Sequence, residues 1–507
     1  MRDKVISAEQ AACLVKSGDV LAMLGSGGGV IEPTCLIRTL GERFAKEGLP
    51  RDLTIFHASG LGDKQEIGTD YLAQEGLVKR DIAGHWGMAP KMARLAQAEK
   101  VEAYNFPQGV MSQLYVAIAA GKPGVITKTG LGTFVDPRLE GGKMNKSATE
   151  DIVRVLEIDG EEWLFFPRFK IDVCFIRGTT ADLDGNITME QEAAILEGIS
   201  IAQATKNSGG IVIAQVKYLA QRKTLKAQDV RIPGIYVDHI VVDPDQKQTC
   251  LEEYNPALCG AVSLPLERIP PLPLDERKVI ARRAAKELFG GAVVNLGVGM
   301  PSGVAAVAAE DGSIGEITFT VEQGLIGGMP AGGVVFGVAY NPVAIIDESM
   351  QFNFYDGGGL DVAFLGMAQV DGVGNVNTSK TGALLTGCGG FINISQNAKK
   401  VVFCGTFTVK GLEVEVGGGR LKIVREGQIT KFRRQVDQIT YSGEYAAKVG
   451  QKVLYVTDRA VFELSPAGLV LTEIAPGIDL EKDVLAYMAV RPVISPALRL
   501  MDEDIFR

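Results

Sequence analysis

The stretch that decides the fold occurs twice: residues 172–187 read DVCFIRGTTADLDGNI, and residues 361–376 read DVAFLGMAQVDGVGNV. Asp, Val, Phe, Asp, Gly and Asn stand at the same spacing in both copies. Such agreement is hard to obtain by chance, and it predicts that the chain contains a duplicated α/β unit.

A longer pattern repeats around these copies. Residues 7–29 predict a helix, a glycine, an apolar run and a glycine-rich loop, and residues 275–301 repeat that order. Short apolar runs and helical windows alternate through both halves. The alternation is typical of the α/β class, with two related, open, mostly parallel sheets in fused pseudo-duplicate halves. Antiparallel strands are also possible at residues 453–456 and 469–473.

A proline-rich segment separates the two copies. Four prolines fall within residues 264–273, a composition that favours an extended linker. A chain of 507 residues also exceeds what one hydrophobic core usually organises. We therefore predict an N-terminal half over residues 1–263, a linker over 264–274 and a C-terminal half over 275–507.

Composition narrows the classes of function. A formal net charge of −9 disfavours general nucleic-acid binding, which needs a basic surface. Seven cysteines without a CxxC pair and three histidines without metal-ligand spacing indicate neither a disulfide framework nor a metal site. The N-terminus has no apolar signal segment, and no stretch approaches about 20 apolar residues, so we expect a cytoplasmic protein without a membrane partner.

Glu322 is the first candidate for chemistry. Residues 53–61 can be laid on residues 317–325, which places Ala58 opposite Glu322, so only the second copy carries this carboxylate. Glu322 closes a strand-like run and precedes several glycines, and ligands of α/β folds usually bind at the carboxyl ends of strands. The alternative interpretation is a solvated glutamate at a turn.

Two glycine-rich loops are candidates for ligand binding, residues 25–29 with Gly27 and Gly28, and residues 297–301 with Gly297, Val298 and Gly299. Each lies between a predicted strand and a helix that begins near a proline. Such loops can direct backbone N–H groups at an anion. Tight packing between strand and helix is the alternative. The first loop is a poor dinucleotide fingerprint, because Val30 replaces its third glycine.

Two further segments are polar candidates. Gln108, between Pro107 and Gly109, can donate hydrogen bonds at the carboxyl edge of the predicted sheet. Residues 377–390 are small and glycine-rich, and could bind a long, narrow, polar ligand through their backbone; they include Asn377, Gly389 and Gly390. The alternatives are a simple turn at Gln108 and a loop packed in the interior.

Together these motifs resemble the family I coenzyme A transferases, and within them the single-chain acetate and propionate CoA-transferase branch. The resemblance spans nearly the whole chain, and its motifs follow the order of the family: residues 25–29, 107–109, 130–138, 297–301, 322–324 and 387–390. It implies the CoA-transferase fold, with an α-subunit-like N-terminal half and a β-subunit-like C-terminal half.

The resemblance also implies roles for individual residues. Glu322 matches the nucleophilic glutamate, and Gln108 matches the glutamine of the oxyanion hole. Asn377 and Gly390 resemble positions that contact CoA or the acyl oxygen. The loop with Gly297 and Gly299 resembles one that approaches the thioester. Val298, Gly389, Gly27 and Gly28 complete the predicted CoA-binding set.

The implied reaction moves CoA between short-chain carboxylic acids such as acetate, propionate and butyrate. A glutamate with an ordinary pKa of about 4.3 is anionic at neutral pH and can attack a thioester without a general base. No metal or redox cofactor is expected, because coenzyme A is a substrate that becomes covalent on Glu322. We expect a homo-oligomer, a dimer or a tetramer, as is typical of the family.

Three other functions are compatible with the same residues. The first is an acyl-CoA hydrolase on the same fold, and the second is an NAD-dependent oxidoreductase that uses residues 25–29. The third is a ligand-sensing module without turnover, built on the fold shared with sugar-phosphate isomerases.

Overall fold

The structure is a computed structural model that describes residues 4–265 and 271–507. Residues 266–270, part of the predicted linker 264–274, lie outside the described residues. The helices are α1 Ala8–Leu14, α2 Thr34–Glu47, α3 Pro90–Gln97, α4 Gln108–Ala119, α5 Gly198–Asn207, α6 Glu276–Ala285, α7 Gly303–Glu310, α8 Glu348–Asp356, α9 Phe391–Asn397 and α10 Gly443–Val449.

The strands before the linker are β1 Val20–Met23, β2 Leu53–His57, β3 Val78–Ala83, β4 Glu102–Asn105, β5 Gly124–Thr127, β6 Arg154–Ile158, β7 Glu161–Pro167, β8 Val173–Asp182, β9 Ile187–Thr188, β10 Ile211–Ala220, β11 Val230–Ile232 and β12 His239–Val242. Those after it are β13 Val293–Leu296, β14 Thr318–Val321, β15 Leu325–Ile326, β16 Met329–Pro330, β17 Ala339–Tyr340, β18 Ala344–Ile345, β19 Val362–Gly366, β20 Gln369–Val370, β21 Val376–Asn377, β22 Lys380–Thr381, β23 Leu384–Leu385, β24 Lys400–Cys404, β25 Thr408–Val409, β26 Glu413–Gly417, β27 Arg420–Arg425, β28 Ile429–Thr430, β29 Lys452–Val456, β30 Ala460–Ser465, β31 Gly468–Ile474 and β32 Val493–Leu500.

The chain folds into two compact units. The first unit contains the described residues up to Leu264 together with Val321–Asn353 and Ala383–Asn393. The second contains the described residues of Pro265–Thr320, with Phe354–Gly382 and Ile394–Arg507. Two segments that follow the linker in sequence therefore belong to the unit built mainly from residues before it.

The first unit is organised by a mostly parallel sheet. Its strand order is β11-β9-β8-β1-β2-β3-β4, and β10 pairs with both β8 and β12. All of these pairs are parallel except β8–β9 and β9–β11. A small antiparallel sheet of β5, β7 and β6 lies in the same unit.

The second unit has a mixed sheet. Its strands follow the order β14-β13-β19-β24-β29-β30-β31-β32. The pairs from β14 to β29 are parallel, and β30 is antiparallel to both β29 and β31. This confirms the predicted α/β class, including antiparallel strands at residues 453–456 and 469–473.

The strand register supports the duplication. One strand of each unit, β1 or β13, lies between two parallel partners, and corresponding residues pair in the same way. The matching pairs are Val20–Thr54 and Leu21–Val173 in the first unit, and Val293–Thr318 and Val294–Val362 in the second. This register makes Ala58 and Glu322 equivalent positions, four residues after the paired threonines.

The repeated Asp and Asn residues make the same turn in both units. One carboxylate oxygen of Asp182 accepts from the backbone of Asn186 at 3.0 Å, and the other accepts from its side chain at 2.9 Å. Asp371 and Asn375 repeat both bonds at 3.0 Å. Asp182 and Asp371 also accept from the backbone two residues on, at 2.9 and 3.2 Å, so the shared spacing corresponds to a shared Asx turn after the strand. Within the described residues, no helix is long and apolar enough to cross a membrane.

Candidate active site

Glu322 stands directly after β14, in the first unit, with its side chain half-buried. Its carboxylate lies against the backbone of Gly390, also in the first unit. A Cβ atom added to Gly390 would come within 2.2 Å of Glu322 Oε2, so this position accepts only glycine while the carboxylate keeps its place. The glycine of the 387–390 motif is therefore needed for close approach.

A short chain of hydrogen bonds holds the other side of the carboxylate. Gln323 Nε2 donates to Glu322 Oε1 at 3.3 Å and lies 3.4 Å from Ser26 Oγ. The hydroxyls of Ser26 and Ser59 are 3.0 Å apart. The loop at residues 25–29 thus contributes a hydroxyl that contacts Gln323, the side chain that donates to the glutamate, a link that the sequence did not predict.

The environment of Glu322 changes its ionisation. Burial raises the pKa of the Glu322 carboxyl to about 7, and the bond from Gln323 lowers it only in part. The expectation of an ordinary pKa was therefore wrong. Burial is a property of the folded chain that the local sequence around Glu322 does not encode.

Gln108 is the first residue of α4 and is fully buried. Its backbone N–H donates to the carbonyl of Gly389 at 2.9 Å, and its side-chain Nε2 donates to the carboxylate of Glu348. A Cβ atom added to Gly389 would lie 3.6 Å from Gln108 Oε1 and 4.0 Å from Glu322 Oε1. The amide of Gln108 and the carboxylate of Glu322 therefore face the same glycine.

Asn105, at the end of β4, fixes this arrangement. Its side-chain Nδ2 donates to the carbonyls of Ala83 and Gly84, both at 2.6 Å, and its Oδ1 accepts from the backbone of Cys388 at 2.8 Å. The N–H of Gly389 donates to the same Gly84 carbonyl at 2.7 Å. Asn105 thereby ties the 387–390 loop to the carboxyl ends of β3 and β4.

Two histidines lie near these residues but are poor general bases. Burial lowers the pKa of His85 to about 4, and its ring lies near Gly389. Burial opposes protonation of His57, yet Asp81 and the Ser59 carbonyl raise its pKa overall. His57 Nε2 is 3.1 Å from Asp81 Oδ1, and Nδ1 is 2.6 Å from the Ser59 carbonyl oxygen. Both ring nitrogens of His57 are occupied.

Gly27 and Gly28 are packed in the first unit. A Cβ atom on Gly27 would lie 2.8 Å from Met88 Cε, and one on Gly28 would lie 2.7 Å from the Val334 carbonyl oxygen. The N–H of Gly28 donates to the Gly62 carbonyl at 2.7 Å. These contacts favour tight packing for Gly28, because its N–H already has a partner.

The remaining predicted residues belong to the second unit. Gly297, Val298 and Gly299 follow β13, where Gly299 has a φ of 86° and Val298 is 52% exposed. Asn377 is fully buried and closes its own loop, since its Oδ1 accepts from the backbone of Ser379 at 3.1 Å and of Lys380 at 3.2 Å. Its role in CoA contact stays a prediction.

Glu348, Glu197 and Asn105 are the residues that sequence reasoning missed. Asn105 ends a strand, Glu348 begins α8, and Glu197 immediately precedes α5. The only sign of these residues in the sequence was a polar side chain at the end of a buried strand or the start of a buried helix. That pattern is too common in proteins to identify functional residues. Across the described ranges, His, Cys, Asp and Glu side chains form no group of three that could hold a metal ion.

Comparison with known proteins places this site in a family. The family model for coenzyme A transferases matches residues 5–243. The chain is 51% identical to the caffeate CoA-transferase of Acetobacterium woodii, over 99% of this chain and 97% of the relative. It is 46% identical to the acetate CoA-transferase YdiF of Escherichia coli K12, over 100% of this chain and 95% of the relative.

A solved structure agrees with these relatives. The crystal structure of the acyl-CoA transferase YdiF from Escherichia coli O157:H7, a thioester complex with CoA, matches with a TM-score of 0.95 at 45% identity, covering 100% of this chain and 96% of that one. The chain therefore belongs to the family I coenzyme A transferases. It is an enzyme of the CoA-transferase type.

Proposed function

We propose that this enzyme moves CoA between short-chain carboxylic acids by ping-pong catalysis, with Glu322 as the nucleophile. The observation that carries the proposal is the placement of the Glu322 carboxylate and the Gln108 amide around Gly389 and Gly390. A carboxylate can attack a thioester without a metal or a redox group, and the thioester energy is kept throughout.

In the first step, a carboxylate oxygen of Glu322 attacks the carbonyl carbon of the acyl-CoA. The resulting oxyanion collapses, the C–S bond breaks, and an acyl-glutamyl anhydride and a CoA thiolate form. The thiolate then attacks the glutamyl carbonyl and releases the first carboxylate, which leaves Glu322 as a CoA thioester. A second carboxylate reverses these steps and departs as the new acyl-CoA.

Glu348 accepts from one of the two N–H groups on Gln108 Nε2, and in this proposal the second N–H supports the oxyanion. A preorganised donor at such a position contributes about 3–4 kcal/mol to the transition state. Exclusion of water matters equally, because water would hydrolyse the anhydride. The half-buried carboxylate and the glycine backbone around it favour transfer over hydrolysis.

The substrate class rests on the branch that the motifs resemble and on the similarity to acetate CoA-transferases. Since another relative is named a caffeate CoA-transferase, the acceptor panel contains acetate, propionate and butyrate beside caffeate. Faster transfer to the three short acids is expected. A clear preference for caffeate would overturn the short-chain assignment and leave the transfer mechanism intact.

The decisive experiment is intact-protein mass spectrometry after incubation with acyl-CoA alone. We expect a covalent CoA adduct on a peptide that contains Glu322, retained in the exposed-site control Glu316→Ala and lost in Glu322→Ala. Unmodified protein that still transfers CoA would overturn the covalent mechanism. Free CoA released without an acceptor, faster than transfer, would identify an acyl-CoA hydrolase instead.

A further inference from the structure

The amide of Gln108 connects the proposed reaction site to a buried acid. Its Nε2 donates to Glu348 Oε1, while its Oε1 lies on the side of Gly389 and Glu322. Glu348 is completely buried at the start of α8. Whatever fixes Glu348 therefore also fixes the orientation of Gln108.

Glu348 lies beside a second buried carboxyl, that of Glu197. The backbone N–H of Glu348 donates to the carbonyl of Leu196 at 3.2 Å, and the neighbouring Glu197 is only 1% exposed. In the described part of the chain, Glu348 Oε2 and both carboxyl oxygens of Glu197 have no hydrogen-bond donor. Neither carboxyl forms an ion pair with a described Lys, Arg or His.

Two carboxylates cannot hydrogen-bond to each other unless one of them carries a proton. Two like charges at contact, out of water and without a cation, strongly disfavour double ionisation. Burial raises the pKa of Glu348 well above its ordinary value, and Glu197 raises it further. Burial likewise raises the pKa of Glu197. A proton shared between the two carboxyls would relieve this repulsion and supply the donor that their oxygens lack.

The charges that face the pair are few. Asp347 raises the pKa of Glu197, and His57 lowers it. Glu322 raises the pKa of Glu348. An ionised Glu322 thus reinforces protonation of the pair, so that negative charge does not accumulate on both sides of Gln108.

We propose that Glu348 and Glu197 are positioning residues for Gln108, sharing a proton that fixes its amide beside Glu322 without adding a second full carboxylate charge near the forming oxyanion. This inference rests on the proposed roles of Gln108 and Glu322. It assigns a function to two buried acids that the reaction itself does not touch.

Isosteric replacement separates the shared proton from the hydrogen-bond geometry. In Glu348→Gln, the side-chain oxygen accepts from Gln108 and the amide donates to Glu197, so the pair keeps one negative charge. Glu197→Gln keeps the same charge in the opposite arrangement. We expect both variants to form the CoA adduct within about threefold of the unmodified enzyme. Glu348→Ala removes the acceptor and slows the adduct step about 10- to 100-fold, within the loss expected for an oxyanion donor.

A double-mutant cycle distinguishes positioning from a general effect on the fold. If Glu348 acts through Gln108, Glu348→Ala has little further effect on kcat in a Gln108→Ala background. Ser349→Ala is the matched control, because Ser349 is equally buried in the same helical turn and its hydroxyl has no described partner. We expect that variant to keep the full rate.

Infrared difference spectra provide a readout that a structural role would not move. At about pH 9, where Glu322 is ionised, the unmodified enzyme should show the carbonyl band of a protonated carboxylic acid that disappears in Glu348→Gln. Absence of that band, or additive losses in the double mutant, would overturn the inference while the Glu322 adduct persists. Loss of the adduct site itself would instead overturn the proposed function.

Discussion

The raised pKa of Glu322 predicts that adduct formation depends on pH in the neutral range. Only the ionised carboxylate attacks the thioester, and burial sets the pKa of that carboxyl at about 7. Lowering the pH from about 8 to about 5.5 then reduces the ionised fraction from about 0.9 to about 0.03. The expected loss of rate is about 30-fold.

The same change would hardly affect an ordinary glutamate. With a pKa of 4.5, the carboxyl would remain about 90% ionised at about pH 5.5, and the rate would change by about 10%. The two cases differ by more than an order of magnitude.

The assay is rapid quenching at acyl-CoA concentrations below saturation, followed by intact-protein mass spectrometry of the CoA adduct. The second-order rate constant under these conditions reports ionisation of the free enzyme. Enzyme held at about pH 5.5 and returned to about pH 8 should recover its full rate, which excludes irreversible unfolding.

One other buried carboxyl needs a control. Burial also raises the pKa of Glu32 to about 7, and Glu32 accepts from the backbone of Gly62 at 2.9 Å. The profile should therefore be unchanged in Glu32→Gln. A flat profile from about pH 5.5 to 8, or an inflection that disappears in Glu32→Gln, would refute the assignment to Glu322.

Three further outcomes follow from individual contacts. Gly390→Ala places a Cβ 2.2 Å from Glu322 Oε2, which forces the carboxylate to move by about 1 Å. This displacement should slow the adduct step about 100-fold. An unchanged rate would contradict the close approach of Glu322 to Gly390. Asn105→Ala removes three buried hydrogen bonds and should lower the free energy of unfolding by about 3 kcal/mol in urea denaturation, whereas the control Asn207→Ala, at an exposed residue with one side-chain hydrogen bond, should change it much less. Because the folded-state pKa of Glu322 is raised, its ionisation destabilises the fold as pH rises from 4.5 through 7. The free energy of unfolding of Glu322→Gln should therefore exceed that of the unmodified enzyme by about 3 kcal/mol above pH 7 and should equal it below pH 4.5. A difference that does not depend on pH would contradict this.

The sequence predicted the features that depend on repetition and spacing. The Asp and Asn residues of the two copies carry the same Asx turns, and the equivalence of Ala58 and Glu322 follows from the strand register. Gln108, Gly389, Gly390 and Glu322 come together because each stands at a loop beside the end of a strand or the start of a helix.

Partners distant in sequence could not be predicted in this way. Gln108 and Glu348 are 240 residues apart, and no periodicity links them. The ionisation of Glu322 likewise depends on what covers it in the folded chain. Asn377 differs, because its partners are close in sequence: its side-chain Oδ1 accepts from the backbone of its own loop, at Ser379 and Lys380.

The allocation of Val321–Asn353 and Ala383–Asn393 to the first unit has a consequence for biosynthesis. A ribosome releases the scaffold of β1 to β12 long before it releases Glu322, Glu348 or Gly390. The proposed reaction centre can therefore be completed only after most of the chain has been synthesised. The internal repeat divides this polypeptide at its proline-rich middle, whereas folding groups its segments differently, so the packing of the first unit depends on residues from both copies.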